Sequence, residues 1–330
     1  MAAPATQFRL GLAFAVASAI TFGLSGPFAK SLMEAGWSPT AAVTARMGVA
    51  AVVMAVFASV VRPGWIGEAR RHFGVVLTYG AVPIAGAQLC YYNAISHLSV
   101  GVALLLEYTA PILVAAWIWA TTRRRPDYRT MAGIALAVVG ITLVLNIFGD
   151  SAMRISGIGV LWGAGAAVCA ACYFLMGARA SSNSTDGSGP HVVTLAAGGL
   201  VVGSLTVAAL GVSGLMPLTF TANNAVLAGH SLPWLIPVLA LGVVSTAVAY
   251  TLGIYGVAWL RAGFASLVGL AEVLFAVAWA WLLVGEALSP TQAIGGAVVL
   301  VGLALARGGA TPVEAVELAE TSAAAEHSAA

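Results

Sequence analysis

The sequence predicts an all-α integral membrane protein with ten transmembrane helices, arranged as two inverted five-helix repeats. Three observations predict it: a composition too apolar for a water-facing surface, ten apolar runs of spanning length, and a self-similarity between the halves of the chain. Hydrophobic residues make up 60% of the 330 residues and charged residues 8%, whereas soluble domains carry about 25% charged residues. The net charge of +2 gives no basis for nucleic-acid binding. Cys90, Cys169 and Cys172 lie inside apolar runs, with neither a disulfide framework nor zinc-ligand spacing, and are read as small packing residues. Neither a metal nor a cofactor is expected.

The apolar runs fall near 8–28, 39–61, 73–95, 99–121, 130–148, 156–178, 191–212, 232–256, 262–284 and 290–306. A membrane helix needs about 20 such residues. The first run is longer than the usual 7–15-residue core of a signal peptide, so it is read as the first span. The eighth is the least defined at its start, where LPWLIP carries two prolines.

Lys and Arg collect in cytoplasmic loops. With the N-terminus inside, Arg9, Arg62, Arg70, Arg71, Arg123, Arg124, Arg125, Arg129, Arg179, Arg261 and Arg307 are cytoplasmic, and only Lys30 and Arg154 lie outside. Both termini are therefore expected in the cytoplasm, and the Ala-rich, acidic segment 307–330 is expected to be a disordered tail.

The repeat is seen by comparing SVGVALLLEYTAPILVAAWIWA (99–120) with RAGFASLVGLAEVLFAVAWAWL (261–282). An offset of 162 superposes Trp117 on Trp279 and Trp119 on Trp281, and carried onward it superposes Gly133 on Gly295 and Gly140 on Gly302. The expected units are 1–150 and 151–306, with five spans each. An odd number of spans makes the second copy enter from the opposite side, an arrangement that places a binding site near the bilayer midplane.

Charges within a span cost on the order of 2.5–3.5 kcal/mol each and by default line a cavity. Arg46, Glu107 and Glu272 qualify. Glu107 and Arg46 both lie about 10–12 Å into spans entered from outside, at 1.5 Å per residue. They are read as an ion pair, or as a cation for a substrate carboxylate beside a proton-carrying acid. The rival readings are a structural tie between helices and, for Arg46, snorkelling to the outer surface. The repeat equivalent of Glu107 is Gly269 and that of Glu272 is Ala110, so the acids are not symmetry mates, yet both are expected to face one cavity. Gln88, Tyr91, Tyr92 and Asn93 on the third span, and Ser245, Thr246, Tyr250 and Tyr255 on the eighth, are candidates for hydrogen bonds to a substrate. Helix–helix bonding is an equally common use of such residues. Trp117, Trp119, Trp279 and Trp281 fall late in their spans and are read as interfacial anchors. Pro111 removes a donor to the Glu107 carbonyl and is expected to weaken the turn beside the acid.

The first span ends GLSGPFAKSLMEAGWSP and runs on to ARMG, giving Gly23, Lys30, Pro39 and Arg46; the ninth ends LLVGEALSPTQAIGGAVVLVG, giving Gly285, Glu286, Gln292, Gly295 and Gly302. In order and spacing the chain resembles the drug/metabolite transporter superfamily, specifically its EamA-type ten-span exporters. The LEYTAP stretch followed by RRRPDY is similar to the branch that includes the threonine/homoserine exporter. The resemblance covers nearly all of 8–306 and implies that Lys30 serves an outer gate. It also implies a cell inner membrane in a bacterium and small-molecule substrates ranging from amino acids to drugs. One departure is Val273 after Glu272, where the family often has a proline.

The function expected is export of a small polar metabolite, an amino acid or a related compound, by alternating access with proton coupling. Multidrug or toxic-compound efflux by the same fold, and a non-transporting receptor or assembly subunit, stay open. The chain carries no Walker A motif for ATP, and its five histidines lie at span edges or in loops, so it is not read as an enzyme. Its partners are expected to be substrate, protons and the lipid bilayer.

Overall fold

In hydrocarbon every backbone N–H and C=O must be satisfied within the segment, so an apolar run that crosses alone does so as a helix. The computed structural model describes residues 4–123, 127–145, 156–185, 189–249, 251–253, 256 and 262–307. Seven helical stretches are long and apolar enough to span: Phe8–Glu34, Pro39–Val61, Phe73–Ile95, Val100–Thr121, Gly157–Gly177, Val192–Val212 and Leu235–Gly253. Three shorter apolar helices, Tyr128–Val144, Val268–Val284 and Pro290–Ala306, stand where the fifth, ninth and tenth spans are expected.

The first span is split into α1 (Pro4–Gly23) and α2 (Ser25–Glu34), and the second is α3 (Pro39–Val61). A short helix α4 (Trp65–Arg71) leads into the third, which runs through α5 (Phe73–Tyr79), a π-helical segment (Gly80–Gly86) and α6 (Ala87–Ile95). The fourth is split into α7 (Val100–Glu107) and α8 (Ala110–Thr122), and the fifth is α9 (Tyr128–Val144). The sixth and seventh are α10 (Gly157–Thr185) and α11 (Val192–Val212). A hairpin of β1 (Ala225–Leu227) and β2 (His230–Leu232) precedes the eighth span, which holds α12 (Leu235–Leu239) and a second π-helical segment (Ala240–Val248). The ninth is α13 (Ala262–Val284) and the tenth α14 (Pro290–Arg307).

The hairpin was not anticipated, because three-residue strands give too short an alternation to register. Its turn residues, Ala228 (φ 50°) and Gly229 (φ 78°), both take the positive φ that a tight hairpin requires. Ala228 N–H donates to the Leu283 carbonyl at 2.7 Å, tying the hairpin to the end of α13.

The spans pack in a reciprocal pattern. The first lies on the ninth and the fourth on the sixth; the second lies on the eighth and the third on the seventh; the fifth lies on the tenth. Lipid tails are as apolar as these side chains, so close backbone approach does much of the work of association. The fifth and tenth spans illustrate it. A Cβ added at Gly140 would meet the Gly295 carbonyl at 2.8 Å, and one at Gly295 would meet the Gly140 carbonyl at 2.8 Å. The Gly133 and Gly302 pair repeats the notch, at 2.5 Å and 2.7 Å. Large apolar side chains such as Val60, Leu161 and Val212 point outward, as lipid-facing surfaces require. Trp117, Trp119 and Trp281 are exposed and fit interfacial anchors. Trp279 does not: its indole N–H donates to the Ile20 carbonyl at 3.2 Å and binds the ninth span to the first.

Between the second and third spans, Glu68 of α4 accepts hydrogen bonds from Arg62 Nε (2.8 Å), Thr194 Oγ1 (2.7 Å) and the His191 N–H (2.9 Å). One carboxylate thereby satisfies orphan donors at the start of α11 and fixes α4 against it. The Arg62 bond chiefly, with those of Thr194 and His191, holds Glu68 at about 2, below its ordinary 4.5. A depressed carboxylate stabilises the fold fully above its unfolded value and loses that contribution as pH falls. The unfolding midpoint of the wild-type chain should therefore drop as pH is lowered from about 4.5 towards 2. Glu68→Gln should start lower and show a flatter profile over that window.

Overpacking a core typically costs about 1–3 kcal/mol. Gly140→Leu should lower the unfolding midpoint in detergent accordingly, whereas Gly157→Ala, where an added Cβ meets open space, should leave it nearly unchanged.

Candidate functional site

The second span begins cleanly at Pro39, capped by the Ser38 hydroxyl, which accepts from the Ala41 N–H. Two turns on, Arg46 points inward and is 7% exposed. A guanidinium at that depth needs acceptors for its planar fork of donors, and three other spans supply them. Nη1 donates to Ser25 Oγ (2.7 Å), Gln88 Oε1 (2.8 Å) and Tyr92 Oη (3.1 Å), and Nε donates to Thr246 Oγ1 (3.2 Å). The Tyr92 ring also lies 5.8 Å from the Arg46 Cζ.

Each acceptor is placed by a local irregularity or a helical turn. Ser25 sits just after the break at Leu24. Pro27 has no N–H for the carbonyl of residue 23, so the first span cannot run straight through. Gly23 also lies so close to the ninth span that a Cβ there would be 2.9 Å from the Ala276 nitrogen. Gln88 and Tyr92 are one turn apart on α6 and share a face. Thr246 lies in the π-helical segment, where its hydroxyl donates to the Leu241 carbonyl at 2.8 Å, five residues back. π-segments inside α-helices are frequently found at functional sites.

The expected Arg46–Glu107 ion pair does not form. Among the described residues the ion pairs are Lys30–Glu286 and Arg62–Glu68. The Arg46 fork is instead taken up by hydroxyl and amide groups of the first, third and eighth spans. Glu107 stands within electrostatic reach of Glu272, Arg46 and Cys169. Among the described residues no donor reaches its carboxyl group, and it is half-buried. Arg46 and Glu107 therefore stand near one another without bonding.

The turn beside Pro111 is weakened to a two-residue gap in the α-helix, with Tyr108 and Thr109 still in right-handed conformation. The fourth span breaks at Tyr108–Thr109, immediately after Glu107, with the Thr109 hydroxyl donating to the Leu106 carbonyl at 2.7 Å. The repeat mate of Pro111 is Val273, and there α13 runs unbroken. Tyr108, in the break, crosses to the ninth span: its hydroxyl donates to Glu272 Oε2 at 2.8 Å and lies 3.1 Å from the Gly269 carbonyl.

The remaining expected residues divide. Tyr91 is buried within electrostatic reach of Glu107, Glu272 and Arg46. Asn93 turns to its own helix, its amide donating to the Leu89 carbonyl at 2.7 Å. Tyr250 and Tyr255 lie outside the described residues. Lys30 does not pair with Glu34 one turn away. It bonds Glu286 at 2.7 Å and the Ile95 and Leu98 carbonyls, while Glu286 also accepts from the Val100 N–H at 2.8 Å. That cluster joins the first span to the connections between spans three and four and between spans nine and ten. Sequence reasoning missed Ser25 and Tyr108. A small polar residue two positions before Pro27 was the available signal for the first. Nothing in the sequence marks the partner of the second.

A buried guanidinium bonded across four spans, with one carboxyl group beside it at a helix break and another on an unbroken helix, defines a multi-span helical membrane protein with a polar centre. The EamA-like transporter family matches the chain over residues 9–146 and again over 157–308, and the chain belongs to that family. It is 31% identical over 278 residues to the threonine/homoserine exporter RhtA of Escherichia coli strain K12, covering 82% of each. It is 27% identical over 216 residues to an uncharacterized transporter of Archaeoglobus fulgidus, covering 66% of this chain and 70% of the relative. A crystal structure of another protein superposes with a TM-score of 0.55 at 19% identity, covering 88% of this chain and 96% of that one, a likeness of fold alone.

A buried group left without its partner costs about 1–3 kcal/mol. Tyr108→Phe strips the Glu272 carboxyl group of its hydroxyl donor and should lower the unfolding midpoint in detergent, with little change in Tyr128→Phe, whose side chain is exposed.

Proposed function

We propose that the chain exports a small polar metabolite, an amino acid or related compound, across a bacterial inner membrane by alternating access with proton coupling. The observation that carries this reading is the pairing of a fixed cation with an unbonded acid. Arg46 is held by neutral side chains of three other spans, and Glu107 stands within its electrostatic reach without a hydrogen bond from any described residue. A guanidinium so oriented binds a carboxylate well. A carboxyl group with no fixed partner is available to take up and release a proton. The exporter RhtA, named for threonine and homoserine, is similar over 82% of the chain and supports a zwitterionic amino-acid substrate.

In this reading residues 1–150 and 151–306 are inverted repeats that rock about the recess, with the termini in the cytoplasm. Support comes from the double family match and from the reciprocal packing of spans. The π-helical segments Gly80–Gly86 and Ala240–Val248 add to it, since an offset of 162 superposes their last residues. In the same reading the Lys30–Glu286 ion pair serves as the outer gate.

The test uses inside-out vesicles and labelled threonine, homoserine and a panel of other amino acids and drugs, with an acid-inside gradient. Gradient-dependent uptake of a neutral amino acid is expected. Arg46→Ala should weaken affinity about ten- to a hundredfold, the loss of a charged hydrogen bond worth roughly 1.5–3 kcal/mol. Glu107→Gln should retain exchange of labelled for unlabelled substrate yet lose accumulation against the gradient. Uptake indifferent to the gradient, or an unchanged response in Glu107→Gln, rules out the proton role.

A further inference from the structure

Two thiols that the spacing of the sequence leaves unconnected meet in the fold. Cys90 on α6 and Cys169 on α10 face each other across two packed helices, each opposite a glycine of the other. The approach is built into both backbones. Gly86 lies one turn before Cys90, and a Cβ there would stand 2.7 Å from Cys169 Sγ. Gly165 lies one turn before Cys169, and a Cβ there would stand 3.1 Å from Cys90 Sγ. The two spans thus present the same four-residue pattern, glycine then cysteine, in opposite directions, so each glycine makes room for the facing thiol. Neither cysteine is fully buried, and both lie within electrostatic reach of Glu107. Cys172 is three residues further along α10. The third span belongs to the first half of the chain and the sixth to the second, and the two are packed together.

We propose that Cys90 and Cys169 are an oxidation site, a thiol pair that closes to a disulfide and latches the third span to the sixth across the two halves. Two S–H bonds break and one Sγ–Sγ bond forms. The two protons and two electrons pass to an added oxidant, here a diazenedicarboxamide that is reduced to the corresponding hydrazine. A dithiol reductant reverses the step by thiol–disulfide exchange. Because the bond joins residues 79 positions apart, it constrains the unfolded chain and raises the unfolding midpoint, provided native geometry already brings the sulfurs together.

The test treats the full chain, purified in detergent, with diazenedicarboxamide, then counts free thiols after denaturation and maps the bridged peptides. Of the three thiols, one is expected to remain, with Cys90 linked to Cys169 and the unfolding midpoint raised until a dithiol is added. Cys172→Ser should still bridge; Cys90→Ser and Cys169→Ser should not, and their midpoints should ignore the oxidant. Three remaining thiols, or a bridge through Cys172, overturns the site. A Cys90–Cys169 bond that leaves the midpoint unmoved overturns the latch. In proteoliposomes the oxidant should stop exchange of labelled threonine by the wild type, reversibly, and spare Cys90→Ser. That arm rests on the transport reading. If reduced wild-type protein exchanges no substrate, the transport reading fails while the thiol count and midpoint still decide the latch.

Discussion

Burying one guanidinium organises the centre of this protein. An Arg inside a bilayer is tolerated only where protein groups replace its water, and Arg46 collects acceptors from the first, third and eighth spans while standing on the second. Those bonds fix the relative rotation of four helices more tightly than apolar contact alone. Leu and Val surfaces slide against one another at little cost, but a planar fork of donors has one satisfactory orientation. The small residues around it, with Ala41, Ala42 and Ala50 buried on the same helix, let the neighbouring spans come close enough to reach that fork.

Two of the Arg46 acceptors, and the acid that stands near it, lie at departures from regular helix, while Gln88 and Tyr92 stand on the regular α6. Ser25 follows a break, Thr246 lies in a π-helical segment, and Glu107 ends a helix that stops at Tyr108. Within hydrocarbon such irregularity is stable only where protein or a polar cavity satisfies the freed backbone. Two breaks and one π-helical segment lie at the polar centre, while α9, α11 and α14 run without interruption, as do α3 and α13, which carry Arg46 and Glu272. Backbone distortion and buried charge belong to one design: the charge needs acceptors, and the distortions aim them.

Hydropathy placed the spans well, because a segment's need for about 20 apolar residues is a property of the segment alone. The same holds for Arg46, Glu107 and Glu272, which stand out against an apolar background. What the sequence left hidden is contact across helices. Tyr108 sat beside the acid already under suspicion, yet its bond goes to Glu272, 164 positions away. The two Gly–Cys turns are unremarkable on separate helices and gain meaning only when α6 and α10 lie antiparallel with their glycines facing opposite thiols. Asn93 looked like Gln88 in composition, but it lies five residues on, about 140° further round the helix at 3.6 residues per turn, and so leaves the Arg46 face.

The frame repeats, but its chemistry does not. Superposing the halves sets Arg46 on Ala208, Glu107 on Gly269, Ala110 on Glu272 and Pro111 on Val273. Each charged residue meets a small neutral one, and the broken fourth span meets a continuous ninth. If the charges were duplicated as well, two guanidinium groups would face each other in one recess and repel. Keeping the cation in one half and an acid in each places unlike charges together at the interface. Only Glu107 is left without a bonded partner among the described residues, because the tyrosine beside it bonds the other acid instead. The helical frame is matched between the halves while these four positions are not, so the two halves bring unlike groups to one polar centre.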